Sequence, residues 1–386
     1  MKNSIFIFFL LIYSTFLTAS AIYDNHLLEL SQYGNTTVST EIQERRIEPQ
    51  DTLSHDNIIS TFVGATTNNK ERKLTFNVIS STNGVGLEVD QKIMTNALKI
   101  LGHNVQSYGY RNKQIPPKAD INIFFQAFKS DWFSSANQNW FVPNPEWYIH
   151  GANAINDIDL ILCRTKEVER IFSQYTKNTY FLGFTSKDCY SPHLSKDFQS
   201  ILHLAGKSVA KGTSKVVEVW RSNPQFPVLH LITQRDVIEL NQSNYHLLPG
   251  RLDEETLRMY QNTCGIHLCP SETEGFGHYL VESMSAGAVV VTTNAPPMNE
   301  FITDPRCLVK YEKTKKQRFG INYYVDPKDL EKVISNLLKL SPEELRAIGK
   351  NNRKVFLENE KMFHIRLKKL LESDLMLKEK TTTIIN

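Results

Sequence analysis

Glu274 and Glu282, with seven residues between them, bracket the run Gly275, Phe276, Gly277. A short apolar stretch at 265–269 leads into the loop carrying Glu274, and a helical pattern opens at His278. Glycines let the backbone approach a ligand closely and take conformations closed to other residues. A helix that starts there turns free N–H groups and the positive end of its dipole toward whatever lies beyond the strand, which suits phosphate. Glu282 falls about one and a half turns into that helix, at roughly 3.6 residues per turn. Carboxylates beside an anion site make sense as acceptors for sugar hydroxyls. A second stretch, 205–212, also follows a strand and precedes a helix, and it supplies the cations Lys207 and Lys211. Ligands of open parallel sheets sit at the carboxyl ends of the strands. Both stretches therefore converge on one site, with phosphate held by two lysines and a helix start, and hydroxyls held by two carboxylates.

The elements that must carry these residues alternate between strand and helix. Apolar runs predict strands at 74–80, 104–110, 120–125, 157–163 and 179–184, and a helix at 90–101 that stops at Gly102. The turn 83–86 (Asn, Gly, Val, Gly) follows the first strand, and the Trp- and Asn-rich stretch 132–148 reads as a structured loop with a short strand near Trp140. The pattern restarts near Ile201. It predicts strands at 201–205, 228–233, 246–248, 265–269, 288–293 and 308–311, with helices at 213–220, 253–262 and 278–286. Asp326 before Pro327, and Ser341 before Pro342, place a cap ahead of a proline at the first helical position. The order β-then-α, run twice, predicts an α/β chain of two Rossmann-like, doubly wound domains facing across a cleft. The expected division is 71–190 for the acceptor domain, 191–345 for the donor domain, and 346–386 for a closing helix and tail.

With 386 residues the chain fits two domains of ordinary size, and a net charge of +3 gives no ground for a nucleic-acid partner. Residues 5–22 form an uncharged, Phe- and Leu-rich run ending in Ala19, Ser20, Ala21. This is the pattern of a secretory signal peptide (1–21), with an uncleaved membrane anchor as the alternative. Residues 22–70 read as a polar leader or stem. The chain is thus expected in the secretory pathway or outside the cytoplasm. Cys163, Cys189, Cys264, Cys269 and Cys307 show no metal-ligand spacing and read as buried thiols, with one disulfide left open. Asn35 and Asn241 begin N-glycosylation triplets.

The Glu274–Glu282 spacing, with Gly, Phe, Gly between and Ser285, Ala286, Gly287 after, resembles the E-x7-E motif of retaining glycosyltransferases of the GT-B fold, family 4 type. Gly206 to Gly212 resembles that family's diphosphate-binding basic pair, with Lys207 where Arg is common. Gly250, Arg251 and Leu252 look like its loop near the nucleotide base. The resemblance implies that Glu274 contacts donor-sugar hydroxyls while Gly275, Phe276 and Gly277 face sugar and phosphates. It implies further that Glu282 binds the ribose, Lys207 and Lys211 neutralise the leaving diphosphate, and Gly250 and Leu252 border the base. Gly84 and Gly86 would close over the phosphates from the first domain. A nucleotide-sugar donor, an acceptor of unknown class (glycan, protein or lipid) and no metal or other cofactor follow.

Outside these stretches, His103 and His150 read as structural, Trp140, Trp147 and Tyr148 as packing residues or an acceptor platform, and Glu300 as a polar group lining the cleft. Two other classes stay open on the same scaffold: a sugar phosphorylase or epimerase, and an inactive carbohydrate- or nucleotide-binding protein.

Overall fold

The computed structural model describes residues 73–81, 84 and 86–373. The apolar N-terminal segment, the polar leader, Asn35, Asn83, Val85 and the C-terminal tail lie outside the described residues.

The first half contains β1 (Thr75–Ser80), α1 (Gly86–Ile100), β2 (Asn104–Gly109), β3 (Ala119–Phe125), β4 (Ala136–Val142), β5 (Leu160–Cys163), α2 (Lys166–Phe172) and β6 (Thr179–Phe181). Its six strands are parallel, in the order β2-β1-β3-β4-β5-β6. The second half contains β7 (Asp197–Gly206), α3 (Thr213–Ser222), β8 (Val228–Thr233), β9 (Tyr245–Pro249), α4 (Glu254–Thr263), β10 (Cys264–Cys269), α5 (His278–Ser285), β11 (Val289–Thr293) and β12 (Leu308–Val309). These strands are parallel too, in the order β12-β11-β10-β7-β8-β9. The chain therefore folds as two Rossmann-like halves. Strand order reverses once in each sheet, between β1 and β3 and between β7 and β10. The loops after β1, β7 and β10 leave at these switch points, where open sheets bind ligands.

Strands buried on both faces need continuous apolar runs, and β10 and β11 are buried at every residue. The first sheet breaks this rule in one register row. Asn77, Asn122 and Asn139 stand side by side on β1, β3 and β4. The Asn77 amide donates to Asn122 Oδ1 at 3.0 Å, and the Asn122 amide donates to Asn139 Oδ1 at 3.0 Å. Buried amides are tolerated when they satisfy one another. This ladder makes β4 a seven-residue interior strand, where the Asn-rich sequence predicted a loop with a short strand near Trp140.

Other differences are local. The helix expected from residue 90 opens at Gly86, and α2, capped by Thr165 Oγ1 at 3.2 Å from Val168 N, was not anticipated. Asp326 and Ser341 do cap α6 (Pro327–Leu337) and α7 (Pro342–Glu372), the latter through a full capping box. Since α7 opens at Pro342, a division at 346 falls inside it. All five cysteines are buried free thiols.

Two devices tie the halves together. The long helix α7 packs on the second half, where Asn352 donates to Ala288 O at 2.9 Å. It then reaches the first, where Phe363 meets Phe184 with ring centroids 5.1 Å apart and Arg366 O accepts from the Tyr180 hydroxyl at 3.0 Å. The second device is an antiparallel hairpin, β13 (Tyr311–Gln317) and β14 (Gly320–Val325), also absent from the sequence-based prediction. Its tip places Phe319 on Tyr148, Tyr175 and Phe172, with centroids at 4.6, 4.9 and 5.9 Å. Gln317 donates to Glu146 O at 3.1 Å, and Arg318 to Tyr148 O at 3.4 Å. Phe319→Ala removes a partly buried ring from this cluster and should lower the unfolding free energy by about 1–3 kcal/mol. Urea titration measures the loss, and an unchanged midpoint would mean that the tip does not dock on the first half in solution.

Candidate active site

The loop after β10 is fixed before any side chain is considered. Glu272 N donates to Ala210 O at 2.8 Å, Tyr323 N donates to Glu272 O at 2.7 Å, and Thr293 Oγ1 donates to Ser271 O at 2.6 Å. Gly212 takes a left-handed φ of 66°, and a side chain there would overlap the carbonyl of Pro270. The lysine-bearing loop and the glutamate-bearing loop are thus locked together. Lys211 Nζ lies 2.5 Å from Glu274 Oε1 and 3.6 Å from the centroid of the Tyr279 ring. Ser271 Oγ also donates to Glu274 Oε1. Gly277, with φ 93°, lets α5 start directly over the Glu274 side chain, since a Cβ there would stand 3.4 Å from Glu274 Cγ.

Across the cleft the start of α1 meets the start of α5. A Cβ on Gly86 would stand 3.6 Å from the His278 ring, and a Cβ on Gly84 3.4 Å from Lys207 Nζ. Two helix N-termini and an exposed lysine therefore face one small volume. Behind them lies a chain of polar groups that reasoning from the sequence missed. Asp90 Oδ1 accepts from Arg164 Nη1 at 2.6 Å and from His278 Nε2 at 2.8 Å. His278 Nδ1 is 2.8 Å from Ser186 Oγ, which donates to Glu282 Oε1 at 3.2 Å. Burial raises the Asp90 pKa, but Arg164 and His278 outweigh it and hold the carboxyl below its usual range. Glu282 is pushed upward by burial, against His278 and Ser186.

Gly250 and Leu252 sit after β9. Gly250 adopts φ 92° and donates to Thr233 O at 2.7 Å, while Leu252 packs beside Leu202, Ile232 and Cys264. His150 is stacked on Phe128 at 3.8 Å and accepts from Phe128 N, and His103 accepts from Leu74 N, so both have structural partners. Trp140 and Tyr148 are core residues, whereas Trp147 is 48% exposed. Glu300 takes a part the sequence did not suggest. Its carboxylate accepts from Lys166 N and Glu167 N, both at 2.7 Å, capping α2 of the other half.

The least expected neighbour is the loop 144–148, which follows β4. Asn144 lies so close to Gly275 that a side chain on the glycine would overlap its amide, and Arg164 donates to Asn144 Oδ1. Next in the loop, Glu146 is 4% exposed. Burial, aided by the charge of Glu274, pushes its carboxyl up to about 7 despite hydrogen bonds from its own N–H and that of Gly275. A group whose folded pKa is raised stabilises the fold below its unfolded value, near 4.5, and loses that contribution as pH climbs through about 7. Glu146→Gln removes the ionisation at nearly constant shape. The variant should gain about 1–3 kcal/mol relative to the parent between pH 5 and pH 8. Denaturant melts at the two pH values test this, and parallel behaviour would show that the carboxyl is solvated.

Residues 233–355 match the family model described as glycosyl transferases group 1. A search of curated protein sequences finds no match. Among solved structures, the chain is similar to sucrose-phosphate synthase from Thermosynechococcus elongatus (TM-score 0.57, 11% identity, 78% of this chain and 98% of that one). It is similar to a structure described as trehalose-6-phosphate from E. coli bound with UDP-2-fluoro glucose (0.57, 12%, 78% and 99%). A third similar structure is Anabaena HepE in complex with UDP and glucose (0.56, 11%, 78% and 100%). At these identities the likeness concerns the fold. The architecture is that of the GT-B glycosyltransferases, and its second half carries the glycosyl transferases group 1 match.

Proposed function

We propose that this chain transfers a hexose-type sugar from a nucleotide-sugar donor to an acceptor, with retention of anomeric configuration. The observation that carries the reading is the meeting of the α1 and α5 starts beside Lys207, with Lys211 and Glu274 adjoining. Two positive dipole ends and two lysines favour a diphosphate there. Glu274, beside Lys211, then stands where sugar and phosphate join and accepts from sugar hydroxyls. The backbone of Gly275, Phe276 and Gly277 lines the same place, and Glu282 takes the ribose.

In this mechanism the glycosidic bond to phosphate breaks as the acceptor oxygen bonds to the same face of the sugar carbon. The departing diphosphate receives the acceptor's proton. Lys207, Lys211 and the helix starts stabilise the charge that builds on it, and the two halves hold the reactants in place. These cations make a metal unnecessary in the scheme. The bound UDP and UDP-2-fluoro glucose of the similar structures support a UDP-linked donor. The apolar segment at 5–22 supports action within the secretory pathway.

The test is a thermal-shift and turnover screen of the full-length chain with UDP-, GDP- and ADP-linked sugars. One donor class should raise the melting temperature, by mass action on the native state. Glu282→Ala should stay folded and lose that response. Lys211→Ala should slow transfer about 10²-fold or more, mainly in kcat, because the missing charge matters most when the diphosphate departs. A well-folded protein that responds to no nucleotide or nucleotide sugar would overturn the transferase reading.

A further inference from the structure

Glu146 belongs to the first half, yet its carboxyl lies against the second half's Gly275 and beside Glu274. Three observations show that the position is built. Gly275 has no side chain, which lets the 144–146 loop press onto the glutamate-bearing loop. Gly320, at the start of β14, backs Glu146 from the other side, where a Cβ would come within 3.2–3.3 Å of its N, Cα and Cβ. Gln317 holds the Glu146 carbonyl. A buried and braced carboxyl should have both oxygens satisfied. Glu146 Oε2 has no hydrogen-bond partner, and neither has the nearby Arg164 Nε.

An unpartnered acceptor and an unpartnered donor, both buried at the sugar end of the candidate site, fit a polyhydroxylated ligand, whose hydroxyls can give and receive. Structural packing alone does not account for them, since an apolar residue would fill the same space without leaving polar atoms unpaired. We propose that Glu146 is a sugar-binding residue that holds a hydroxyl of the transferred sugar alongside Glu274, from the other half of the protein. The sugar is thereby read by both halves of the protein at once. This inference rests on the donor reading above. It adds that discrimination among sugars depends on a residue outside the region matched by the family model.

The experiment separates the sugar from the nucleotide. Dissociation constants are measured calorimetrically on the full-length chain for UDP against UDP-glucose and UDP-galactose, and for GDP against GDP-mannose. The proteins are the parent, Glu146→Met, which keeps the volume without the polar atoms, and Glu146→Gln, which keeps a carbonyl acceptor. Glu146→Met should bind the free nucleotide within about twofold of the parent and the nucleotide sugar about tenfold or more weakly. Glu146→Gln should recover part of the loss and shift the preference between the two UDP-sugars. An unchanged ratio of nucleotide-sugar to nucleotide affinity in Glu146→Met would overturn the proposal. So would an equal loss for both ligands, which would assign Glu146 to holding the loop in shape. A parent protein that binds no nucleotide would overturn the donor reading itself, and that failure is visible before any variant is compared.

Discussion

A buried carboxylate must find positive partners or give up its charge, and Asp90 finds both of its partners at the junction of the two halves. It is 3% exposed, and a single oxygen serves Arg164 from the end of β5 and His278 from the first turn of α5. The constraint is geometric as much as electrostatic. Asp90 is on α1, so satisfying it brings the start of α1 opposite the start of α5. The same His278 ring continues through Ser186 to Glu282, which links placement of the helix starts to placement of a candidate-site carboxylate. The cleft is therefore organised by a demand for charge pairing, and the helix dipoles that face each other there are held in place by it.

Around that centre the halves exchange contacts in both directions. Glu300 of the second half caps α2 of the first, and the hairpin tip seats Phe319 among the first half's aromatic rings. In return the first half's loop 144–148 lies on Gly275. The hairpin serves twice, since β14 also holds the loop after β10 through Tyr323 N and Glu272 O. One antiparallel ribbon thus braces both the glutamate-bearing loop and the loop that covers it.

What was legible in the sequence was local or contiguous. The Glu274–Glu282 spacing, the glycines between them and the two lysines lie in two short stretches, each with its own strand and helix. The proline caps at Asp326 and Ser341 need only neighbours in sequence, and they formed as read. Groups that depend on distant partners were not legible. Asp90 is 74 residues from Arg164 and 188 from His278, and nothing in any of the three segments announces the others. Strand β4 was misread because asparagine ordinarily signals a loop. Its Asn139 is accommodated because its amide oxygen accepts from Asn122 in the same register row and its amide nitrogen donates to Phe133 O. The hairpin was hidden for the opposite reason, since β13 is exposed along nearly its whole length and offers no apolar period to detect.

Helix α7 carries a consequence for the order in which the molecule can be completed. Its 31 residues span about 46 Å at 1.5 Å per residue, and its far end supplies the Phe363 ring that meets Phe184 and the carbonyl that receives the Tyr180 hydroxyl. The first half is synthesised long before that end exists. During vectorial synthesis Phe184 must wait, with its apolar face uncovered, while some 180 further residues are added. The first sheet is thus made early, and its contact with α7 can be completed only when the chain is nearly finished.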